Sequence, residues 1–301
     1  MVELNDQPLV AGIELGGTKC IVVLARGERI SRRETIVTET PDRTLAKAVR
    51  TLRGWYQAER FAAIGIASFG PLDLNPRSMT HGQIVKTTKP GWSGADVLGA
   101  FSGSFDVPVG IDTDVGGAAL AEGRWGAATG CTVHGYLTIG TGIGLGLVVN
   151  GSVIHGLQHP EAGHVRIRRA PGDRFVGICP FHGDCVEGLC SGPAIAARAG
   201  ASAPLLLPDD PIWDRVANDL AEFLTGVLLT MSPQRILIGG GVAQGQPDLL
   251  IKIRSGIADR LAGYLHGVDA HTLEQIITPP ALGADAGPLG AVALAPRTIS
   301  S

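Results

Sequence analysis

Within "CPFHGDCVEG", three side chains of the kind that bind metals are evenly spaced: Cys179, His182 and Cys185. The pattern is Cys-x2-His-x2-Cys, and Pro180 stiffens the turn inside it. His164, in "HPEAGHVRIRR" just upstream, makes a fourth donor. Two thiolates and two imidazoles suit tetrahedral zinc, and a site with four protein ligands leaves no open position, so the ion is expected to be structural. The alternative is a group of reduced, buried thiols beside a surface histidine. A disulfide framework is not expected. The chain has five cysteines (Cys20, Cys131, Cys179, Cys185 and Cys190), an odd number with no signal peptide in view.

Three glycine loops are the second chemical signal: "ELGGTK", "GTGIGLG" and "IGGGVA". Glycine lets backbone N–H groups approach an anion closely, and a threonine hydroxyl adds a donor. Taken singly, each is equally an ordinary turn. Two nucleotide motifs are excluded. A Walker loop runs Gly-Lys-Ser/Thr into a helix, whereas here Gly17-Thr18-Lys19 leads into a β-rich run. A dinucleotide fingerprint also needs a following helix, and "GTGIGLG" leads into "LVVNG". Phosphate binding by hairpin turns remains.

The elements that must hold these groups follow from periodicity. Strands are expected at "LVAGIEL", "CIVVLAR" and "RETIVTE", then a helix over "TLAKAVRTLRGWYQAE" capped by Asp42 or Thr44. "FAAIGIASFG" reads as a buried strand, "VPVGIDTD" as another, and "VGGAALAEGRWG" as a short helix. The first third is therefore β-β-β-α-β-α-β-α. The theme restarts with the hairpin "GYLTIGTGIGLGLVVNGSVI", which turns again at Asn150-Gly151. A long helix follows over "IWDRVANDLAEFLTGVLLTMS", then a strand, "RILIGGGVAQ". Two halves that each open on a glycine-turned hairpin suggest a duplicated α/β fold around a cleft. The expected division is 1–112, with a C-terminal helix near 284–301, against 113–283.

Composition narrows the class. The chain has 301 residues, 45% hydrophobic and 18% charged, with 43 glycines and no collagen period. A net charge of −3 and no basic cluster make nucleic acid an unexpected partner. No charged residue lies between Trp125 and Pro160, but glycines, Asn150, Ser152 and His155 interrupt the run before it spans a membrane. The N-terminus lacks a cationic segment followed by an apolar one, so a soluble, cytoplasmic protein is expected.

With these motifs assembled, the chain resembles the ROK (repressor, open reading frame, kinase) family of sugar kinases from Val10 to "GADAGPLGAVALA". The resemblance implies the actin-like, hexokinase-like ATPase fold. It places Gly16, Gly17, Thr18 and Lys19 in a first phosphate loop, Thr141 and Gly142 in a second, and Gly239, Gly240 and Gly241 beside the adenosine. Glu14 stands where many relatives have an aspartate facing magnesium. Glu161 and Glu187 match glutamates that accept hydrogen bonds from sugar hydroxyls, and the zinc loop would hold both. Gly70 in "SFGP" and Trp92 in "KPGW" match positions near the sugar; His81 and Lys86 are read as surface polar residues. The Cys-Pro-x-His-x2-Cys version of the motif resembles the bacterial zinc-containing ROK fructokinases.

The activity implied is transfer of phosphate from MgATP to a hexose, most simply fructose, with a glucose or mannose kinase as runner-up. Phosphoryl transfer asks the protein for positioning, charge stabilisation and one proton acceptor. "GIDTDVGGAALAEG" offers Asp112 and Asp114 at a strand end and helix start, where the helix N-terminus favours a charged carboxylate. Asp112 is read as the helix cap. The resemblance makes Asp114 the base and places Thr113 and Asp114 among the sugar-binding residues; Thr113 stands where relatives often have Asn, and Gly116 replaces another Asn. Some relatives are repressors with an N-terminal DNA-binding module. About ten residues precede "GIELGGTK", so no such module is expected. A sugar sensor without catalysis is expected to lack the base. A homodimer is the family expectation.

Overall fold

Apolar runs broken by glycine turns form ten strands and ten α-helices in the computed structural model, which describes residues 7–296. In chain order they are β1 (Leu9–Leu15), β2 (Lys19–Arg26), β3 (Arg29–Val37), α1 (Pro41–Ala58), β4 (Ala63–Ser68), α2 (Val97–Ser102), β5 (Val109–Thr113) and α3 (Asp114–Trp125). Then come β6 (Val133–Ile139), β7 (Ile143–Val149), β8 (Ser152–Val153), α4 (Val186–Cys190), α5 (Gly192–Ala199) and α6 (Ile212–Met231). The chain ends with β9 (Arg235–Gly239), α7 (Gly241–Gly245), α8 (Asp248–Leu261), α9 (Ala270–Ile276), β10 (Ile277–Thr278) and α10 (Ala286–Leu294). Two compact units result: 7–129 with 151–160 and 281–296, and 130–150 with 161–280.

In the first unit the sheet order is β3-β2-β1-β4-β5. β1 is antiparallel to β2 and parallel to β4, which is parallel to β5. Register aligns Leu15, Ser68 and Thr113, so the loops after all three parallel strands leave at one end of the sheet. Open sheets bind ligands at that carboxyl end. One face packs on α1 through Leu45, Ala48 and Leu52. The other carries a row of glycines in register, Gly12, Gly65 and Gly110. A Cβ on Gly65 would lie 1.9 Å from the Ala291 carbonyl oxygen, and one on Gly110 would lie 2.2 Å from that of Leu294. The row is a groove for α10, and it accounts for part of the glycine excess.

In the second unit β6 pairs antiparallel with β7 and parallel with β9, and β9 pairs parallel with β10. The charge-free run is the β6–β7 hairpin, buried as its lack of charge implies. After β7 the chain turns again at Asn150 and Gly151, both at positive φ (51° and 75°), which suits an Asn-Gly turn into β8. α6 buries a face that includes Trp213, Val216, Leu220 and Leu224 and packs against α8 and α4.

Several boundaries differ from the sequence expectation. α1 starts at Pro41, where the fixed φ of proline suits the first helical turn. Neither Asp42 nor Thr44 is its N-cap; Thr40 holds that position, and Thr44 Oγ1 instead accepts from the Glu39 N–H at 2.9 Å. The units divide after Thr129 rather than at 112, because α3 packs on α10: Gly117 lies so close that a Cβ there would be 3.1 Å from Gly290 backbone. The C-terminal helix ends at Leu294, and residues 297–301 of the expected span lie outside the described residues. No described helix is long and apolar enough to cross a membrane.

Candidate functional site

The β5–α3 junction carries the two aspartates, and the structure separates their roles. Thr113, not Asp112, is the N-cap of α3; its hydroxyl accepts from the Gly116 N–H at 3.0 Å. Asp112 is buried and turned away from that duty. Its Oδ1 accepts the Thr113 N–H at 2.7 Å, and its Oδ2 lies 2.9 Å from His155 Nε2. That pairing raises the His155 pKa above its ordinary value. No sequence spacing signals it, since His155 lies far along the chain in the segment 151–160 that returns to the first unit.

Asp114 begins α3, where its Oδ1 accepts the Val115 N–H at 2.9 Å. Burial pushes its carboxyl up to about 6, and that hydrogen bond offsets only part of the effect. A base with such a pKa is ionised at neutral pH yet still basic enough to accept a proton. Glu14, at the end of β1, is pushed up to about 7 by burial and then by the charge of Asp114, against the pull of Lys19 and Arg33. Its carboxylate occupies space that Gly287 leaves open at the start of α10. Two acids that disfavour each other's charge thus share this end of the sheet.

Gly70 follows β4, with its Cα flank against His159; a Cβ would lie 3.4 Å from the ring. His159 Nε2 accepts the Leu72 N–H at 2.9 Å, which requires a neutral ring nitrogen, and burial lowers its pKa accordingly. Trp92 corrects the sequence expectation. It has no exposed surface, packs edge-on against Phe69 with ring centroids 5.2 Å apart, and donates its indole N–H to the Glu39 carbonyl at 2.9 Å. A fully buried ring cannot touch a sugar; Trp92 anchors the turn that carries it.

The first glycine loop is exposed at Gly17, Thr18 and Lys19. The Gly16 N–H closes it on the Lys19 carbonyl at 2.9 Å. In the second unit, Thr141 is exposed and Gly142 sits against Glu187: a Cβ there would lie 2.7 Å from Glu187 Oε2. The same oxygen accepts the Ile143 N–H at 3.0 Å. Gly239 and Gly240 have packing reasons to be glycine. A Cβ would lie 2.2 Å from the Tyr136 hydroxyl at Gly239 and 2.4 Å from the Ile139 carbonyl at Gly240, whose φ is +91°. Gly241 faces open space.

His164, Cys179, His182 and Cys185 come together, with one ligand atom of each within 4.8 Å of all the others. His164 Nδ1 is 3.6 Å from both Cys179 Sγ and Cys185 Sγ, and His182 Nδ1 is 3.7 Å from Cys179 Sγ. Bond lengths of about 2.3 Å to sulfur and about 2.05 Å to nitrogen, set at tetrahedral angles, put ligand S and N about 3.6 Å apart. These three sulfur–nitrogen separations therefore match the edge length of a tetrahedral site. Burial and the neighbouring Cys179 push the Cys185 thiol up to about 11, so a thiolate there would need a bound cation to be favourable. Glu161 precedes the 3₁₀ turn that ends in His164, and Cys185 caps α4, whose first turn holds Glu187. Glu187 Oε1 stands 4.0 Å from His164 Nε2.

The ROK family sequence pattern matches residues 10–298. The chain is 43% identical over 297 residues to a fructokinase of Zymomonas mobilis, covering 97% of each. It is 35% identical over 295 residues to a fructokinase of Pediococcus pentosaceus, covering 97% of this chain and 99% of that protein. Its structure is similar to that of the ROK hexokinase from Thermus thermophilus, with a TM-score of 0.78, 27% identity, and coverage of 95% of this chain and 97% of that one. With two glycine-turned sheets, phosphate-type loops and this breadth of match, the chain belongs to the ROK family and has the actin-like, hexokinase-like ATPase fold.

Proposed function

We propose that the protein is an ATP-dependent fructokinase, which converts fructose and MgATP to fructose 6-phosphate and ADP. The observation that carries this is near full-length identity to relatives named fructokinases, 43% and 35%. The chemistry of the residues described above supports it. Asp114 accepts the proton of the attacking sugar hydroxyl as oxygen bonds to the γ-phosphorus and the bond to ADP breaks. Backbone N–H groups of the Gly16–Lys19 and Thr141–Gly142 loops and the Lys19 ammonium stabilise phosphate charge, and the strand end after Gly239 takes the adenosine. Glu14 would face the magnesium that accompanies ATP; a cation there offsets the cost that burial imposes on its charge.

Glu161 and Glu187 accept hydrogen bonds from sugar hydroxyls. Zinc held by His164, Cys179, His182 and Cys185 would fix the loop from which both project and would take no part in the reaction. A coupled ADP-release assay across fructose, glucose and mannose tests the assignment, with fructose expected to give the highest kcat/KM. A panel in which fructose is not turned over while another hexose is would reject it.

A further inference from the structure

We infer that Lys89 and Thr38 are positioning residues that aim the backbone N–H groups of the first glycine loop at the phosphates of ATP. This rests on the reading of Gly16–Lys19 as a phosphate loop. In a trans peptide the C=O of one residue and the N–H of the next point in opposite directions. The peptides of this loop are trans. Whatever holds a loop carbonyl therefore aims the following N–H to the other side.

Three consecutive carbonyls are held. Thr38 Oγ1 donates to the Gly16 oxygen at 2.8 Å, and the Thr38 N–H donates to the Thr18 oxygen at 3.0 Å. Between them, the Lys89 ammonium donates to the Gly17 oxygen. The Gly17 and Thr18 N–H groups are thereby turned to the opposite face, and among the described residues no protein acceptor is recorded for either. Two adjacent donors on an exposed glycine turn form a concavity for an anion. Gly17 leaves ψ on one side of that peptide free, and a donor to the Gly17 oxygen fixes which way its carbonyl, and with it the Thr18 N–H, faces.

The placement of Lys89 is built in. It lies in "KTTKPGW", and the buried Trp92 of that turn donates its indole N–H to the Glu39 carbonyl, one residue after Thr38. The Trp92 N–H closes the turn on the Lys89 carbonyl at 3.2 Å. Trp92 thus docks the lysine turn beside Thr38, so both tethers reach the loop from the same place. This gives the "KPGW" motif a role at the nucleotide rather than at the sugar.

The test is calorimetric binding of MgATP and of adenosine to Thr38→Val, Lys89→Met, Thr38→Ser and Lys89→Arg, alongside steady-state kinetics. Thr38→Val and Lys89→Met should each weaken MgATP at least about tenfold, raise its KM in parallel, and leave adenosine and the fructose KM within about twofold. Thr38→Ser and Lys89→Arg keep a donor to the same oxygen and should stay within about threefold of the parent for MgATP. Unchanged MgATP affinity in both Thr38→Val and Lys89→Met would overturn the inference, as would an equal loss for adenosine, which marks general damage. If the parent binds MgATP but phosphorylates no sugar, the kinase assignment fails and these binding data still decide the inference.

Discussion

Asp114→Asn should stabilise the protein while nearly abolishing its activity. Asn preserves the shape and the oxygen that accepts the Val115 N–H at 2.9 Å. It removes the basicity, and general base catalysis contributes about 10²–10⁴-fold, so kcat should fall at least about a hundredfold. The stability effect follows from the raised pKa. The carboxyl is pushed from 3.8 up to about 6 by burial, so the folded state binds its proton more tightly than the unfolded chain does. Below 3.8 the group is protonated in both states and has no effect. As pH rises through the interval to about 6, ionisation favours unfolding, and the penalty is complete above it. A shift of about two units at about 1.4 kcal/mol each sets an upper limit of about 3 kcal/mol, and relaxation around the charge reduces it to about 1–3 kcal/mol. At pH 8, urea unfolding of Asp114→Asn should show that gain, and at pH 4 the two proteins should converge. The parent kcat/KM should rise with pH through about 6 as the base ionises. Asp112→Asn, tested alongside, loses the His155 pairing but keeps the base, and its kcat should fall less than about tenfold. The reasoning is refuted if Asp114→Asn turns over near the parent rate, or if it is less stable than the parent at pH 8.

Gly142→Val places its Cβ 2.7 Å from Glu187 Oε2, so it disturbs that glutamate as well as the loop. The KM values for ATP and fructose should both rise, by about tenfold or more; a change in the ATP value alone would show that Glu187 does not serve the sugar. Elemental analysis after mild chelation should find about one zinc per chain, and Cys179→Ser, which removes one of four ligands, should lose the metal and lower Tm by at least about 5 °C. Full activity and an unchanged Tm in metal-free protein would defeat the structural role.

Much of the chemistry was legible from residue types at short range. Cys179, His182 and Cys185 lie within seven residues, and that spacing, with His164 upstream, pointed to the cluster that the fold brings together as a candidate metal site. The glycine hairpins and the β-β-β-α-β-α-β-α order were legible for a similar reason, since turn residues and apolar periodicity act locally. Even the cap of α3 was nearly so, missed by one residue because Asp112 and Thr113 are both good caps and local preference does not choose between them. What decided for Thr113 was His155, brought against Asp112 by the fold. The same holds for Trp92, whose type suits a sugar platform but whose complete burial follows from packing on Phe69 and Glu39. Glycines at 12, 65 and 110 carried no motif at all, because only strand register sets them in a row beneath α10. The pKa values of Glu14 and Asp114 likewise had no sequence signature. Charge is a property of residue type, but its cost depends on how much water the tertiary structure removes.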